Sequence, residues 1–226
     1  MKPAKQITLF AIASTVFFSS CIGYINVQSS EKDSKVFIDG KEASNNGFYR
    51  LAIKRGDCKT VKITKDEFIS QEKKYCFSVP GSPRFPDKEN FILKRDESFD
   101  ASVKSDIANS DFTIEVNKKF NVDAAWKAIT QIVTEHFDEI QNSSKETGYL
   151  TTAWKIYKFP GRVVRTRIVV KNSSENPLSY KVKICSESSL QEGVSIKDDE
   201  KFSEWDRVLK KYQDVISEFQ NRIGIK

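Results

Sequence analysis

The sequence is poor in the residues that most catalytic and metal chemistry needs. It holds one His and one Met in 226 residues, so neither a His-rich metal site nor a Met-rich binding groove can be assembled. No Gly-rich phosphate loop, Gly-x-Ser-x-Gly elbow or paired Cys-x-x-Cys spacing occurs. Acidic residues are numerous but scattered, and no carboxylate pair stands out for acid–base work. Lys and Arg exceed Asp and Glu by 37 to 31, an excess too small to announce a nucleic-acid binder. What is present is 38% hydrophobic, 12% aromatic and 30% charged, enough apolar material for a core and too much for disorder. The length suits one generous domain or two small ones.

The N-terminus has the order of a processing signal. Lys2 and Lys5 precede the charge-free apolar run Ile7 to Phe18, which is too short to span a bilayer as a helix. Phe18-Ser19-Ser20-Cys21 then resembles the lipobox of bacterial lipoproteins, with Phe18 where that family has Leu. The resemblance implies removal of residues 1–20, lipidation of Cys21, and membrane contact through two or three acyl chains, which anchor firmly where one would not. Ile22 stands at the position where Asp directs retention in the inner membrane of enteric bacteria. The expected location is therefore the outer membrane, facing the periplasm.

Three cysteines remain in what is then an oxidising compartment. Residues 59–64 and 71–79 read as strands around Lys65-Asp66-Glu67. A hairpin centred on Glu67 sets Cys58 opposite Cys76, close enough for a cross-strand disulfide, and leaves Cys185 free.

Residues 21–79 read as a small all-β module, with strands over Tyr24–Gln28, Lys35–Ile38 and Phe48–Lys54 and turns at Asp39-Gly40 and Arg55-Gly56-Asp57. Residues 25–70 resemble PEGA-type repeats of bacterial envelope proteins. The likeness rests on Ser29-Ser30, the Val36-Phe37-Ile38-Asp39-Gly40 hairpin and Phe68, while Glu31-Lys32-Asp33-Ser34 replaces the name-giving Pro-Glu-Gly-Ala. It implies a β-sandwich that binds envelope components and has no catalytic residues. Residues 80–110, opened by Pro80, Gly81, Pro83 and Pro86, read as a linker with a short strand at Phe91–Leu93.

Residues 111–226 predict a strand over Asp111–Asn117 and a helix from Val122 to Ile140 capped by Asn121. A strand over Tyr149–Phe159 turns at Pro160-Gly161 into Arg162–Lys171, and Leu178–Cys185 returns after the loop Asn172–Pro177. A last helix runs from a capping box at Ser203 and Asp206 to a stop at Gly224, with Trp205, Val208, Leu209, Tyr212, Phe219 and Ile223 among its apolar positions. The expected class is α+β: an all-β module, then an antiparallel sheet packed by two helices. Trp126, Gly148-Tyr149 and Trp154 give this region a similarity to the helix-grip domains of lipoprotein C of the outer-membrane β-barrel assembly machinery. That similarity implies a non-enzymatic accessory role.

Chemistry has few places to reside. His136 lies at the margin of a helix face without companion ligands. Ser70-Gln71-Glu72-Lys73 has Ser-x-x-Lys spacing but falls in a hairpin and lacks the companion motifs. The Pro160-Gly161 hairpin sets Trp154 opposite Arg167 and Ile156 opposite Arg165, and these four residues form a candidate binding face for an acidic or carbohydrate ligand. The reading as a whole is a non-catalytic, membrane-anchored lipoprotein that binds or scaffolds an envelope protein or glycan, with no cofactor, metal or nucleic acid. A lipid or small-molecule carrier with a pocket between the Trp126 helix and the sheet is the alternative. A hydrolase built on Ser70 or Cys185 comes third.

Overall fold

The computed structural model describes residues 22–77, 85–191 and 193–225. The expected signal segment, residues 1–20, and Cys21 lie outside them. Half of the structure is strand and 17% is helix, so sheets dominate, and the expected α+β class with two packing helices is corrected. The described residues divide between two compact units, one reaching to Lys65 and resuming from Ser70 to Leu93, the other made of Asp66–Ile69 and the chain from Lys94 onward.

The first unit is made of two sheets. One has the order β4-β1-β7, with β1 at Ile22–Ser29, β4 at Phe48–Lys54 and β7 at Lys88–Phe91. The other has the order β3-β2-β5-β6, with β2 at Lys35–Ile38, β3 at Lys41–Ser44, β5 at Cys58–Thr64 and β6 at Gln71–Cys76. Alternation turns Ile25, Val27, Leu51 and Ile53 of the first sheet inward, and Val36, Val61 and Ile63 of the second; all are buried. Lys73 of β6 reaches Glu89 of β7 at 2.6 Å. The β5–β6 register pairs Cys58 with Cys76, as expected from a turn centred on Glu67, and the two are joined in a disulfide.

The second unit is built on one sheet in the order β10-β11-β13-β14-β15, with β12 also beside β13 and β9 beside β14. Its strands are β9 (Asp111–Glu115), β10 (Ile140–Ser144), β11 (Tyr149–Thr152), β12 (Lys155–Phe159), β13 (Arg162–Glu175), β14 (Leu178–Ser189) and β15 (Ser203–Glu204). A separate pair joins β8 (Ser102–Lys104) to β16 (Arg207–Leu209), after the single-turn helix α1 (Glu97–Asp100). Two longer helices, α2 (Val122–His136) and α3 (Val215–Ile223), share a core with one sheet face. Asn121 caps α2 by accepting the Ala124 amide at 2.8 Å. The helix then buries Trp126, Ile129, Ile132 and Val133 in a cluster with Leu150, Ile168, Val170 and Val182.

Helix α2 ends at His136, short of the expected Ile140, because Ile140 opens β10 and pairs with Thr152 of β11. Three further local expectations change, each through tertiary pairing. The helix expected from Ser203 begins only at Val215. Residues 203–209 are extended, because Ser186 O accepts the Trp205 amide and Arg207 donates to Ser102 Oγ and to the Ser102 and Phe99 carbonyls. The apolar positions assigned to that helix are buried all the same. The strand expected over 149–159 breaks at Ala153-Trp154, where the Ala153 amide turns to Glu139 O and Thr152 Oγ1 takes the Ile168 amide. The loop expected over Asn172–Pro177 shrinks to Asn176-Pro177, since β13 stays paired with β14 as far as Glu175.

Candidate functional site

The β12–β13 hairpin turns at Gly161, whose φ of +75° falls where glycine is favoured. The register sets Ile156 opposite Arg165, as the spacing predicted. On β13, Val164, Ile168 and Val170 enter the helix-covered core, so the alternate residues Val163, Arg165, Arg167, Val169 and Lys171 face the other way. Trp154, in the break before β12, lies between the two arginines. Its ring centroid is 4.4 Å from the Arg165 guanidinium carbon and 4.2 Å from that of Arg167.

The two arginines have different surroundings. Arg165 has a side chain only 3% exposed, and it meets Glu187 at 2.6 Å and Asp199 at 2.7 Å. It also donates to Ile196 O at 2.7 Å and lies 4.1 Å from the centroid of the Phe202 ring. The chain after β14 thus folds over Arg165 and uses up its donors, which leaves it a packing role. Arg167 stays partly exposed beside Trp154 and stands opposite Cys185. Burial pushes the Cys185 thiol upward despite the opposing influence of Arg167, which makes it a weak nucleophile. Ser70 is exposed ahead of β6, and Lys73, three residues on, is bound to Glu89.

Beyond Arg167 the same face carries positive charge that the sequence reading missed. Lys171 stands directly opposite Lys181, and Lys183, two residues further along β14, has Asp111 of β9 as its register partner, a carboxylate on the same face. Like charges so placed repel. Among the described residues none of Arg167, Lys171, Lys181 and Lys183 is in an ion pair. The alternation of Lys181, Lys183 and Cys185 was visible in the sequence. Assigning it to this face required the one-residue register shift between Asn172 and Ser174: the two-residue turn at Asn176-Pro177 alone would set Lys171 opposite Val182, and the shift sets it opposite Lys181.

A half-open cleft of about 110 Å³ lies beside Trp154, lined by Phe137, Asp138, Glu139, Ala153 and Lys155. That is far less than the several hundred Å³, roughly 300–1,000 Å³, that enclose a whole small ligand. Among the described residues no group of three or more His, Cys, Asp and Glu could hold a metal, and no helix is long and apolar enough to cross a membrane.

His136 joins α2 to α3, with Nε2 2.7 Å from Glu218. Arg222 donates to Glu218 at 2.7 Å and to Glu135 at 2.8 Å. Burial alone would raise the Glu218 carboxyl, but the bonds from His136 and Arg222 outweigh it and hold the group below its ordinary value. A carboxylate lowered in the folded state adds stability above its ordinary range and loses it as pH falls through the lowered value. Urea midpoints measured down an acid series are therefore expected to fall more steeply for the wild type than for Glu218→Gln. Parallel profiles would remove the clasp from the acid response.

No protein family, curated protein or solved structure matches the chain.

Proposed function

We propose that this protein is a non-catalytic, lipid-anchored protein of the cell envelope that docks an anionic envelope partner, protein or glycan, on the outer sheet face of its second unit. The observation that carries this reading is the row Arg167, Lys171, Lys181 and Lys183, in no ion pair among the described residues, ending at the half-exposed ring of Trp154. Opposed lysines weaken a sheet, and an anionic partner relieves that repulsion while gaining a stacking platform. The signal-like residues 1–20 and Cys21 supply the membrane and outer-membrane part of the reading, and the likeness of residues 25–70 to PEGA-type repeats supports an envelope setting. Recognition on an open face also suits a core in which α2 packs on the sheet through filled side chains, which disfavours the carrier alternative.

Two measurements test the two halves separately. Cells fed an alkyne palmitate are expected to label the wild type and not Cys21→Ser; absence of label in the wild type overturns the anchor. A photo-crosslinker at Lys183 is expected to capture an envelope species. The yield should drop about tenfold in Arg167→Glu/Lys181→Glu, since two charges reversed at a rim cost roughly 1–2 kcal/mol, and it should drop likewise in high salt. An unchanged yield in the double variant overturns the docking face.

A further inference from the structure

The outer face of the β4-β1-β7 sheet breaks the usual pattern of a solvated sheet surface. Its residues are Ile22, Tyr24, Asn26 and Gln28 on β1, Phe48, Arg50, Ala52 and Lys54 on β4, and Lys88 and Asn90 on β7. An open antiparallel face normally carries polar side chains. Here Ile22 is 41% exposed, Tyr24 46% and Phe48 48%. Among the described strand residues the charges on the face are the cations Arg50, Lys54 and Lys88, and none of them is a carboxylate. Arg50 covers the Tyr24 ring at 4.4 Å. The outer face of the opposite sheet is charge-balanced instead, with Lys62 opposite Glu72 and Lys35 3.8 Å from Glu42.

Position in the chain says what this face meets. Ile22, the first residue of β1, is bonded directly to Cys21, so no spacer separates the acylated residue from the strand. At about 3.3 Å per strand residue, Tyr24 lies within roughly 10 Å of Cys21. Lys54 is the register partner of Ile22 and so lies about 5 Å from it across the ladder.

We propose that this face rests on the surface of the bilayer that holds the acyl chains. Arg50, Lys54 and Lys88 take anionic phospholipid headgroups, and Ile22, Tyr24 and Phe48 sit in the interfacial layer. Exposed aromatic and aliphatic side chains beside cations are the composition of interfacial anchors. Each cation near an anionic leaflet is worth about fivefold in affinity. The inference rests on the acylated-Cys21 reading, and its test separates the two.

The chain from residue 21 onward carrying Cys21→Ser, which cannot be acylated, is sedimented with vesicles of phosphatidylcholine alone or mixed with phosphatidylglycerol. Selective sedimentation with the mixed vesicles is expected. It should weaken about a hundredfold in Arg50→Glu/Lys54→Glu/Lys88→Glu and be unchanged in Lys62→Glu/Lys74→Glu on the opposite sheet. No sedimentation, or equal sedimentation of both variants, overturns the face whatever the mass of the natural N-terminal peptide. A chain that ignores vesicles but self-associates until Arg50 is reversed overturns it in favour of a second copy. An unacylated natural N-terminus with selective sedimentation supports the face and removes the lipoprotein reading alone.

Discussion

Arg165→Ala is expected to lower the stability of the second unit by about 3–5 kcal/mol, the usual cost of removing one partner of a buried ion pair. The Arg165 side chain is 3% exposed, and its loss strands Glu187 and the Ile196 carbonyl beneath the segment that leads to Phe202. Asp199 is well exposed and rehydrates, so it adds little to the loss. Lys keeps the charge but not the fork that meets Glu187 and Ile196 together, and Arg165→Lys should fall between Ala and wild type. Arg165→Met/Glu187→Met removes both charges and should recover at least half of the loss. Urea unfolding followed by Trp fluorescence reads the effect directly, because Trp154 packs on Arg165. A loss below about 1 kcal/mol in Arg165→Ala would return Arg165 to the docking face that the sequence assigned it.

The second large effect is expected in the first unit. Cys58–Cys76 closes an 18-residue separation, and on a chain-entropy account its removal costs about 3 kcal/mol. The unit is small, with a core limited to the space between a three-stranded and a four-stranded sheet, so such a loss takes much of its stability. Reduction and Cys58→Ser/Cys76→Ser should act alike. Trp126, Trp154 and Trp205 all belong to the second unit, while Tyr24, Tyr49 and Tyr75 belong to the first. The part of the Tyr signal from Tyr24, Tyr49 and Tyr75 should therefore move to lower urea, while the part from Tyr149, Tyr157, Tyr180 and Tyr212 and the Trp transition stay in place. Coincident movement of both would show that the bridge stabilises more than the unit that contains it.

The parts of the fold that were readable are those fixed by local turns. Glu67 as the centre of one hairpin and Pro160-Gly161 as the turn of another yielded the Cys58–Cys76 and Ile156–Arg165 registers, because in a hairpin the turn sets every pair beyond it. Asn121 and the 3.6-residue spacing from Ala125 to Val133 marked α2 for the same local reason. The misreadings share a different cause. Trp205, Val208, Leu209 and Tyr212 are apolar at spacings a helix would bury, and they are buried, but the first three lie along an extended segment beside β14 and β8, and Tyr212, in a single 3-10 turn, stacks on Phe137. Periodicity reports which residues leave water, not which hydrogen-bond partner the backbone finds.

The candidate site divides the same way. The sequence by itself determined that Ile156 and Arg165 face each other in one hairpin, that Cys58 and Cys76 face each other, and that a cysteine preceded by a short apolar run stands a few residues ahead of the first strand. These follow from neighbours along the chain and from period-2 alternation. Only the tertiary structure decided that Arg165 is buried under the segment from Ile196 to Phe202 while Arg167 stays open, and that Lys171, Lys181 and Lys183 continue the face. The physical reason is separation in sequence. A side chain's exposure depends on which distant segment covers it, and neither the return of residues 196–202 across the sheet nor the one-residue register shift between Asn172 and Ser174 has a period to announce it.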